Sequence, residues 1–294
     1  MSAVTVFSPA KLNLSLAITG RRPDGFHDLV SVVAPVKFGD TLRVERAENA
    51  EFTLECNDSA VPLDDTNLIL KAAKLFRAAT GAGFGARFVL EKRIPIGAGL
   101  GGGSSNAVAA LRALNQLTSQ PLGDDQLLAL ATQLGSDCAL FLHGTPVVMR
   151  GRGERVETLA SSARARLSGR RVLLFKPSFG IATAWAYGQM IASAPESYLP
   201  AERAEEHLAK WLSGDAPVES LLFNNMEAVA FRKYLALPTL LEQLREKFGL
   251  GVAMSGSGSA CFALLREETP VEAVRELVAK AWGRHTFISD TEIV

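Results

Sequence analysis

The segment from Pro95 to Asn106, PIGAGLGGGSSN, places glycine at 97, 99, 101, 102 and 103 and serine at 104 and 105. Glycine loses more conformational freedom on folding than any other residue, so this density fits a main chain that must curl tightly or be approached closely. An ordinary surface turn has no such need. Phe88, Val89, Leu90 and Ile94 form an apolar stretch of strand length before the loop, and Ala107, Leu111, Leu114 and Leu117 recur at helical spacing after it. Strand, loop and helix in series aim successive backbone N–H groups at one point and add the helix's unpaired N–H groups and positive dipole end. The ligand expected there is an anion, most simply a phosphate.

Several ligand classes carry phosphate, and the pattern separates them. Gly97, Gly99 and Gly102 satisfy G-x-G-x-x-G, which keeps a dinucleotide-binding oxidoreductase or nucleotide-binding module as an alternative. That fingerprint calls for a second strand ending in an acidic residue. Here the helix ends near Thr118 and is followed by a turn, Pro121 to Asp124, and a second helix on Leu127, Leu130, Ala131 and Leu134, with Asp124 and Asp125 read as N-caps. GxxxxGK[ST] does not occur, nor does HRD, and Asp24-Gly25-Phe26 is not DFG.

With 294 residues, 48% hydrophobic and 21% charged, the chain is long enough for two compact domains. Lys+Arg total 31 and Asp+Glu 31, a balance that argues against nucleic-acid or membrane-surface partners, since both need a basic field. Cys56, Cys138 and Cys261 are odd in number and lie in apolar runs, so buried free thiols in a reducing compartment are expected; neither cysteines nor histidines show metal-ligand spacing. Pro9 and Lys11 interrupt any apolar leader and no run of about 18 apolar residues occurs, which makes the cytoplasm the expected location.

Leu12, Leu14, Leu16 and Ile18 alternate with Lys11, Asn13, Ser15 and Ala17, predicting a half-buried strand with Lys11 and Asn13 on its polar face. Leu42 and Val44, then Phe52, Leu54 and Cys56, suggest a strand pair, and Asn67 to Ala79 a helix. Pro146–Met149 and Arg155–Leu159 bracket Gly151-Arg152-Gly153 as a hairpin. The polar stretch Ser161–Arg171 reads as a linker, dividing the chain into domains at 1–165 and 166–294. Beyond it come a strand at Val172–Lys176, helices including Asn224–Tyr234 and Pro238–Phe248, then Val252–Ser255, the small-residue turn 256–259, a strand at Ala260–Leu265, a helix at Pro270–Trp282 and a closing strand. That order suggests helices on an antiparallel sheet.

Three separated segments, PAKLNLSL at Pro9–Leu16, PIGAGLGGGSSNA at Pro95–Ala107 and SGSGSACF at Ser255–Phe262, together resemble the three motifs of the GHMP small-molecule kinases. RRPDGFHDL at Arg21–Leu29 is similar to the segment typical of the branch that phosphorylates 4-diphosphocytidyl-2-C-methyl-D-erythritol. The resemblance implies an α+β two-domain fold: an N-terminal α/β domain with a left-handed βαβ unit, a ferredoxin-like C-terminal domain, and the active site between them. It implies transfer of the ATP γ-phosphoryl group, with Mg²⁺, to the carbon-2 hydroxyl of a cytidine diphosphate-linked polyol on the non-mevalonate route to isoprenoids. A GHMP kinase of the mevalonate or homoserine type is the alternative within the superfamily.

Site residues follow from matching motifs. The nucleotide loop would be Pro95, Ile96, Gly97, Ala98, Gly99, Leu100, Gly101, Gly102, Gly103, Ser104, Ser105 and Asn106, with Asn67 of the TNLI segment near the adenine. GSDCALF resembles the family's GADVPFF segment and supplies Asp137 as catalytic carboxylate, departing at Cys138, Ala139 and Leu140; by residue type alone Asp137 reads equally well as an N-cap beside Gly135. Lys11 resembles the family lysine that pairs with this aspartate and the reacting oxygen. The resemblance assigns Asn13, Gly256, Ser257 and Gly258 to the substrate, with Phe26 and His27 as cytosine platform and reader. Tyr187 is the second aromatic wall, with Thr183 alongside and Trp185 as the competing aromatic. It assigns no metal ligand, and Asn225 stands where the family usually has Asp.

Overall fold

The computed structural model of the chain describes residues 2–214 and 216–294. The chain forms two units, one of Met1–Ala10, Gly39–Ile96 and Gly101–Gly144, the other of Lys11–Phe38, Gly97–Leu100 and Thr145–Val294. Two long strands, β1 (Ala3–Arg21) and β2 (His27–Ala47), contribute residues to both.

In the first unit β3 (Phe52–Cys56) runs parallel to β4 (Gly85–Glu91), with α1 (Leu68–Thr80) between them in sequence, and β4 pairs antiparallel with the Thr41–Ala47 end of β2. The predicted pair of Leu42/Val44 and Phe52/Leu54/Cys56 is therefore not a pair: β4 lies between those segments and bonds to both. A parallel β3–α1–β4 crossover, which needs the intervening helix to return the chain, explains the insertion. The glycine loop leaves β4 and enters α2 (Gly102–Leu117), which packs on α1 and is followed by α3 (Asp124–Leu134) and α4 (Cys138–His143). Asp124 and Asp125 occupy the first turn of α3 instead of capping it; Gly123 is the cap, and its N–H donates to Gln126 Oε1 at 3.0 Å. Carboxylates in a first turn still meet the positive end of the helix.

A buried charge organises this unit. Asp40 on β2 is 0% exposed and accepts from Lys92 Nζ at 2.6 Å, from the N–H groups of Arg93 and Ile94 at 2.7 Å each, and from Asn106 Nδ2 at 2.8 Å. One carboxylate thereby joins β2, the exit of β4 and the second turn of α2.

In the second unit the Leu29–Val33 end of β2 pairs with β5 (Val147–Gly151), which forms the predicted hairpin with β6 (Arg155–Thr158). Ser161–Arg171 is not an extended linker: α5 (Ser161–Leu167) occupies its first part, burying Ala163 and Leu167, while Arg166 donates to the Trp211 and Ala216 carbonyls at 2.9 and 2.6 Å. There follow β7 (Arg171–Lys176), α6 (Thr183–Ala192), α7 (Ala201–Leu212), a 3₁₀ turn at Val218–Leu221, and β8 (Phe223–Asn224), which lies parallel to β1 through Ser15 and Leu16. Next come α8 (Met226–Lys233), α9 (Ala236–Phe248), β9 (Gly251–Met254), β10 (Cys261–Leu264), α10 (Val271–Trp282) and β11 (Phe287–Glu292). The sheet order β11-β7-β10-β9, all antiparallel, is the ferredoxin-like arrangement. Leu173, Phe175, Leu240, Leu241, Val252, Ala263, Val274 and Val278 fill the core between this sheet and its helices.

Two further expectations change. Around motif one β1 is buried on both sides, not half-buried: Lys11, Asn13, Ser15 and Ala17 are 3–7% exposed, so their polar groups must find partners inside the protein. Cys138 and Cys261 are buried free thiols, but Cys56, at the end of β3, is partly exposed. Among the described residues no helix is long and apolar enough to cross a membrane.

Asp40→Ala removes one half of a buried ion pair and strands the Lys92 ammonium, a change expected to cost about 3–5 kcal/mol of stability. Urea unfolding measures it as a lower midpoint at unchanged slope. A loss within about 0.5 kcal/mol, the range of an ordinary surface substitution, would show that the carboxylate is dispensable.

Candidate active site

Motif one enters as β1, where side chains two residues apart share a face. The Lys11 ammonium donates to Asn13 Oδ1, and Asn13 Nδ2 donates to Ser31 Oγ at 2.9 Å. The main chain of the same strand holds the glycine loop, since Lys11 N–H donates to the Leu100 carbonyl at 3.0 Å.

The segment after β9 grips that loop as well. Ser255 Oγ donates to the Gly99 carbonyl at 3.0 Å and accepts from Asn13 N–H at 3.2 Å, while Ala260 N–H donates to the Ala98 carbonyl at 3.1 Å. Gly97 and Gly99 have φ of 60° and 78°, a region open to glycine without penalty. At Gly99 the requirement is also steric, because a Cβ would lie 2.1 Å from the Ser255 carbonyl oxygen. A Cβ on Gly256 would lie 3.2 Å from both Asn13 Oδ1 and the Gly99 carbonyl and 3.4 Å from Lys11 Nζ. The first halves of motifs one, two and three thus meet around one ammonium group. Thr183 at the start of α6 joins them, its Oγ1 lying 3.0 Å from Ser257 Oγ, next to Gly258.

The second half of the loop belongs to the other unit. Gly101 caps α2 with φ 70°, and the N–H groups of Gly102, Gly103 and Ser104 have no carbonyl partner within the helix. Ser105 N–H is already satisfied by the Gly101 carbonyl at 2.9 Å. The first turn carries no acidic residue, so nothing there opposes an anion. The side chains of Ser105 and Asn106 are nearly fully buried and turn inward. Ser8 Oγ donates to Ser105 Oγ, and Asn106 Nδ2 donates to Ser8 Oγ and Asp40 Oδ2, each at 2.8 Å. These two residues anchor the helix start; the donors suited to an anion are the amides before them. Pro95 and the half-exposed Ile96 lead into the loop.

Asp137 stands between α3 and α4 at the cap position, but its backbone is helical, φ −84° and ψ −8°, and its carboxylate makes no capping hydrogen bond. The N-cap alternative is not realised. Cys138, Ala139 and Leu140, the departures beside it, are all buried. Burial chiefly, with a smaller push from the Asp137 charge, raises the Cys138 thiol to about 11, against a Ser104 hydrogen bond, so this wall is neutral.

His27 is 7% exposed, its ring centroid is 4.6 Å from that of Tyr187, and its Nε2 lies 3.2 Å from the Tyr198 hydroxyl. Burial first, and the Arg21 charge second, lower its pKa and keep the imidazole neutral near pH 7. Trp185 instead packs edge-on against Tyr234 at 5.4 Å, so Tyr187 is the aromatic that accompanies His27. Phe26 is 49% exposed with the Arg152 guanidinium 5.0 Å over its ring. Asn67 is committed to capping α1: Oδ1 accepts from Ile69 N–H at 2.9 Å and Nδ2 donates to the Pro62 carbonyl at 2.7 Å. Among the described residues no three His, Cys, Asp or Glu side chains cluster to hold a metal.

Other polar residues support the site without any sequence signal of their own. Asn224 Nδ2 donates to the Met254 and Gly256 carbonyls at 2.8 and 2.9 Å, pinning the turn of motif three from β8. Lys176, 8% exposed and with its pKa lowered by burial, donates to the Pro177 and Phe179 carbonyls at 3.0 Å. Ser8, Ser31, Asp40 and Tyr198 complete the group. Only Asp40, the lone carboxylate between Asp28 and Glu45, stands out in the sequence. Asn225 has a local reason to be an amide: Nδ2 donates to the Ile18 and Ser197 carbonyls at 2.8 and 3.0 Å, which a carboxylate cannot do.

Comparison with known proteins identifies the family. The profile described as GHMP kinases N terminal domain matches residues 67–145, and that described as GHMP kinases C terminal matches 209–284. The 4-diphosphocytidyl-2-C-methyl-D-erythritol kinase of Prochlorococcus marinus (strain MIT 9303) is 38% identical over 92% of this chain and 86% of its own length. The enzyme of the same name from Desulfitobacterium hafniense (strain Y51) is 37% identical over 97% and 96%. A crystal structure of 4-(cytidine 5'-diphospho)-2C-methyl-D-erythritol kinase superposes with a TM-score of 0.76 at 36% identity, covering 98% of this chain and 99% of that one. Homoserine kinase from Cytophaga hutchinsonii gives 0.77 at 17% identity, covering 100% and 95%, a likeness of fold alone. Shape does not separate the acceptors, whereas sequence does, and the chain belongs to the GHMP kinases and, within them, to the 4-diphosphocytidyl-2-C-methyl-D-erythritol kinase family.

Proposed function

We propose that the chain transfers the γ-phosphoryl group of ATP to the carbon-2 hydroxyl of 4-diphosphocytidyl-2-C-methyl-D-erythritol, a step of the non-mevalonate route to isoprenoids. The observation that carries this reading is the meeting of Lys11, Asn13, Gly99 and Gly256 around one buried ammonium, in a chain of this family. Phosphoryl transfer asks a protein mainly for positioning and charge stabilisation. The amides of the 97–104 loop supply donors for phosphate oxygens, Lys11 stabilises negative charge developing at the reacting oxygen, and Asp137 orients the hydroxyl and accepts its proton late, as bonding to phosphorus makes that proton acidic. Mg²⁺ usually binds through phosphates, water and one or two carboxylates, so it asks for no cluster of three protein ligands, and none occurs among the described residues. When bound it neutralises phosphate charge.

At the cytidine end, a neutral imidazole beside the Tyr187 ring offers a hydrogen-bonding edge and an aromatic face to a flat heterocycle, and Phe26 adds an exposed face. We place the protein in the cytoplasm, consistent with its free cysteines, and keep the family domain boundary near residue 165, between the matched spans.

Three measurements test the reading. With ATP and the cytidyl acceptor, mevalonate and homoserine supplied side by side, only the cytidyl acceptor is expected to be phosphorylated; equal turnover of mevalonate would overturn the assignment. Asp137→Asn is expected to lower kcat by roughly 10² to 10⁴ with ATP affinity nearly intact, and wild-type turnover would remove Asp137 from the chemistry. Gly99→Ala drives a methyl group into the Ser255 carbonyl and is expected to raise the ATP KM by at least about tenfold, since loop geometry rests on that contact. An unchanged KM would mean that the loop does not bind the nucleotide.

A further inference from the structure

Ser31 lies on β2 opposite Met149 of β5, is 1% exposed, and belongs to none of the three motifs. It stands in a hydrogen-bond chain whose polarity is fixed at both ends. The Ser15 carbonyl can only accept, and it lies 2.6 Å from Ser31 Oγ, so the hydroxyl hydrogen is spent there. Ser31 Oγ is left with lone pairs alone to offer the Asn13 amide 2.9 Å away, and the Asn13 NH₂ group must face it. The Asn13 carbonyl oxygen is thereby turned toward Lys11, whose ammonium is donor only. The reverse orientation would set NH₂ against NH₃⁺ and leave Ser31 Oγ without a donor. Both faults would be buried, because Lys11 and Asn13 are 4% and 7% exposed.

We propose that Ser31 is a positioning residue for the transfer reaction: by fixing the orientation of the Asn13 amide, it fixes where the Lys11 ammonium stands. Lysine ends in a flexible four-carbon stem, so a defined acceptor, itself held from behind, is what converts it from a mobile charge into a placed one. The proposal rests on the role given to Lys11 above, and the experiment separates the two.

Steady-state kinetics with ATP and the cytidyl acceptor are measured for Ser31→Ala, Ser31→Thr, Asn13→Ala, the Asn13→Ala/Ser31→Ala double variant and Lys11→Met, at a temperature where circular dichroism shows each folded. Ser31→Ala is expected to lose about ten- to a hundredfold in kcat, the scale of a misplaced catalytic group, with the ATP KM within about twofold of wild type. Ser31→Thr, which keeps the hydroxyl, restores most of the loss. In the Asn13→Ala background, removing the hydroxyl costs little more, because the group it orients is gone. Wild-type kcat for Ser31→Ala, a folded Thr variant as slow as Ala, or full additivity in the double variant each overturns the proposal. Lys11→Met at wild-type kcat would instead sink the role of the lysine, whatever Ser31 does.

Discussion

Three consecutive carbonyls, those of Ala98, Gly99 and Leu100, are each taken by a donor of the protein: Ala260 N–H, Ser255 Oγ and Lys11 N–H. In a planar trans peptide the C=O and the following N–H point in opposite directions. Tying down the carbonyls therefore turns the N–H groups of Gly99, Leu100 and Gly101 the other way. Glycine alone would permit a curled loop without choosing which side its donors face. The hydrogen bonds from β1 and from the segment before β10 make that choice, and the positive φ of Gly97 and Gly99 is what lets the chain obey it.

The same logic extends outward through side chains. Ser255 both donates to Gly99 and accepts from Asn13 N–H, so one hydroxyl ties motif one to motif two. Asn224 holds the Met254 and Gly256 carbonyls, and β8 delivers it there by pairing with Ser15 and Leu16 of β1. In the other unit Asp40 holds the N–H groups of Arg93 and Ile94 and, through Asn106, the start of α2. A low-dielectric interior strengthens each of these bonds and makes each loss costly.

The loop, the helix after it and the lysine-bearing strand were legible because glycine density and period-two or helical spacing are local signals. Most of what orients them was not. Ser8 meets Ser105 across 97 positions and Asn13 meets Ser255 across 242, and no spacing rule foretells such pairs. Period two correctly separated Leu12 from Lys11 but assigned Lys11 to a wet face, since alternation cannot tell water from a second layer of protein. The arginines of 161–171 concealed α5 in the same way, because composition outweighed the two buried positions, Ala163 and Leu167, that hold it. The matched motifs carried the rest, and residue type alone left Asp137 balanced between cap and catalyst.

Gly99 and Gly256 show how tightly these constraints interlock. A side chain on Gly99 would strike the carbonyl of Ser255, and one on Gly256 would crowd the carbonyl of Gly99, so each glycine leaves room for the other's main chain. Gly99 cannot gain a methyl group while the 255–258 turn stays in place, and one on Gly256 requires the Gly99 carbonyl to give by a few tenths of an ångström. If the 255–258 turn withdrew to make that room, Ser255 Oγ would leave the Gly99 carbonyl, and the carbonyl would be free to rotate the following N–H away from its fellows. The close approach of two backbones is thus the condition for the hydrogen bond that aims the loop, and the absence of side chains at these two positions follows from the direction in which the amides must point.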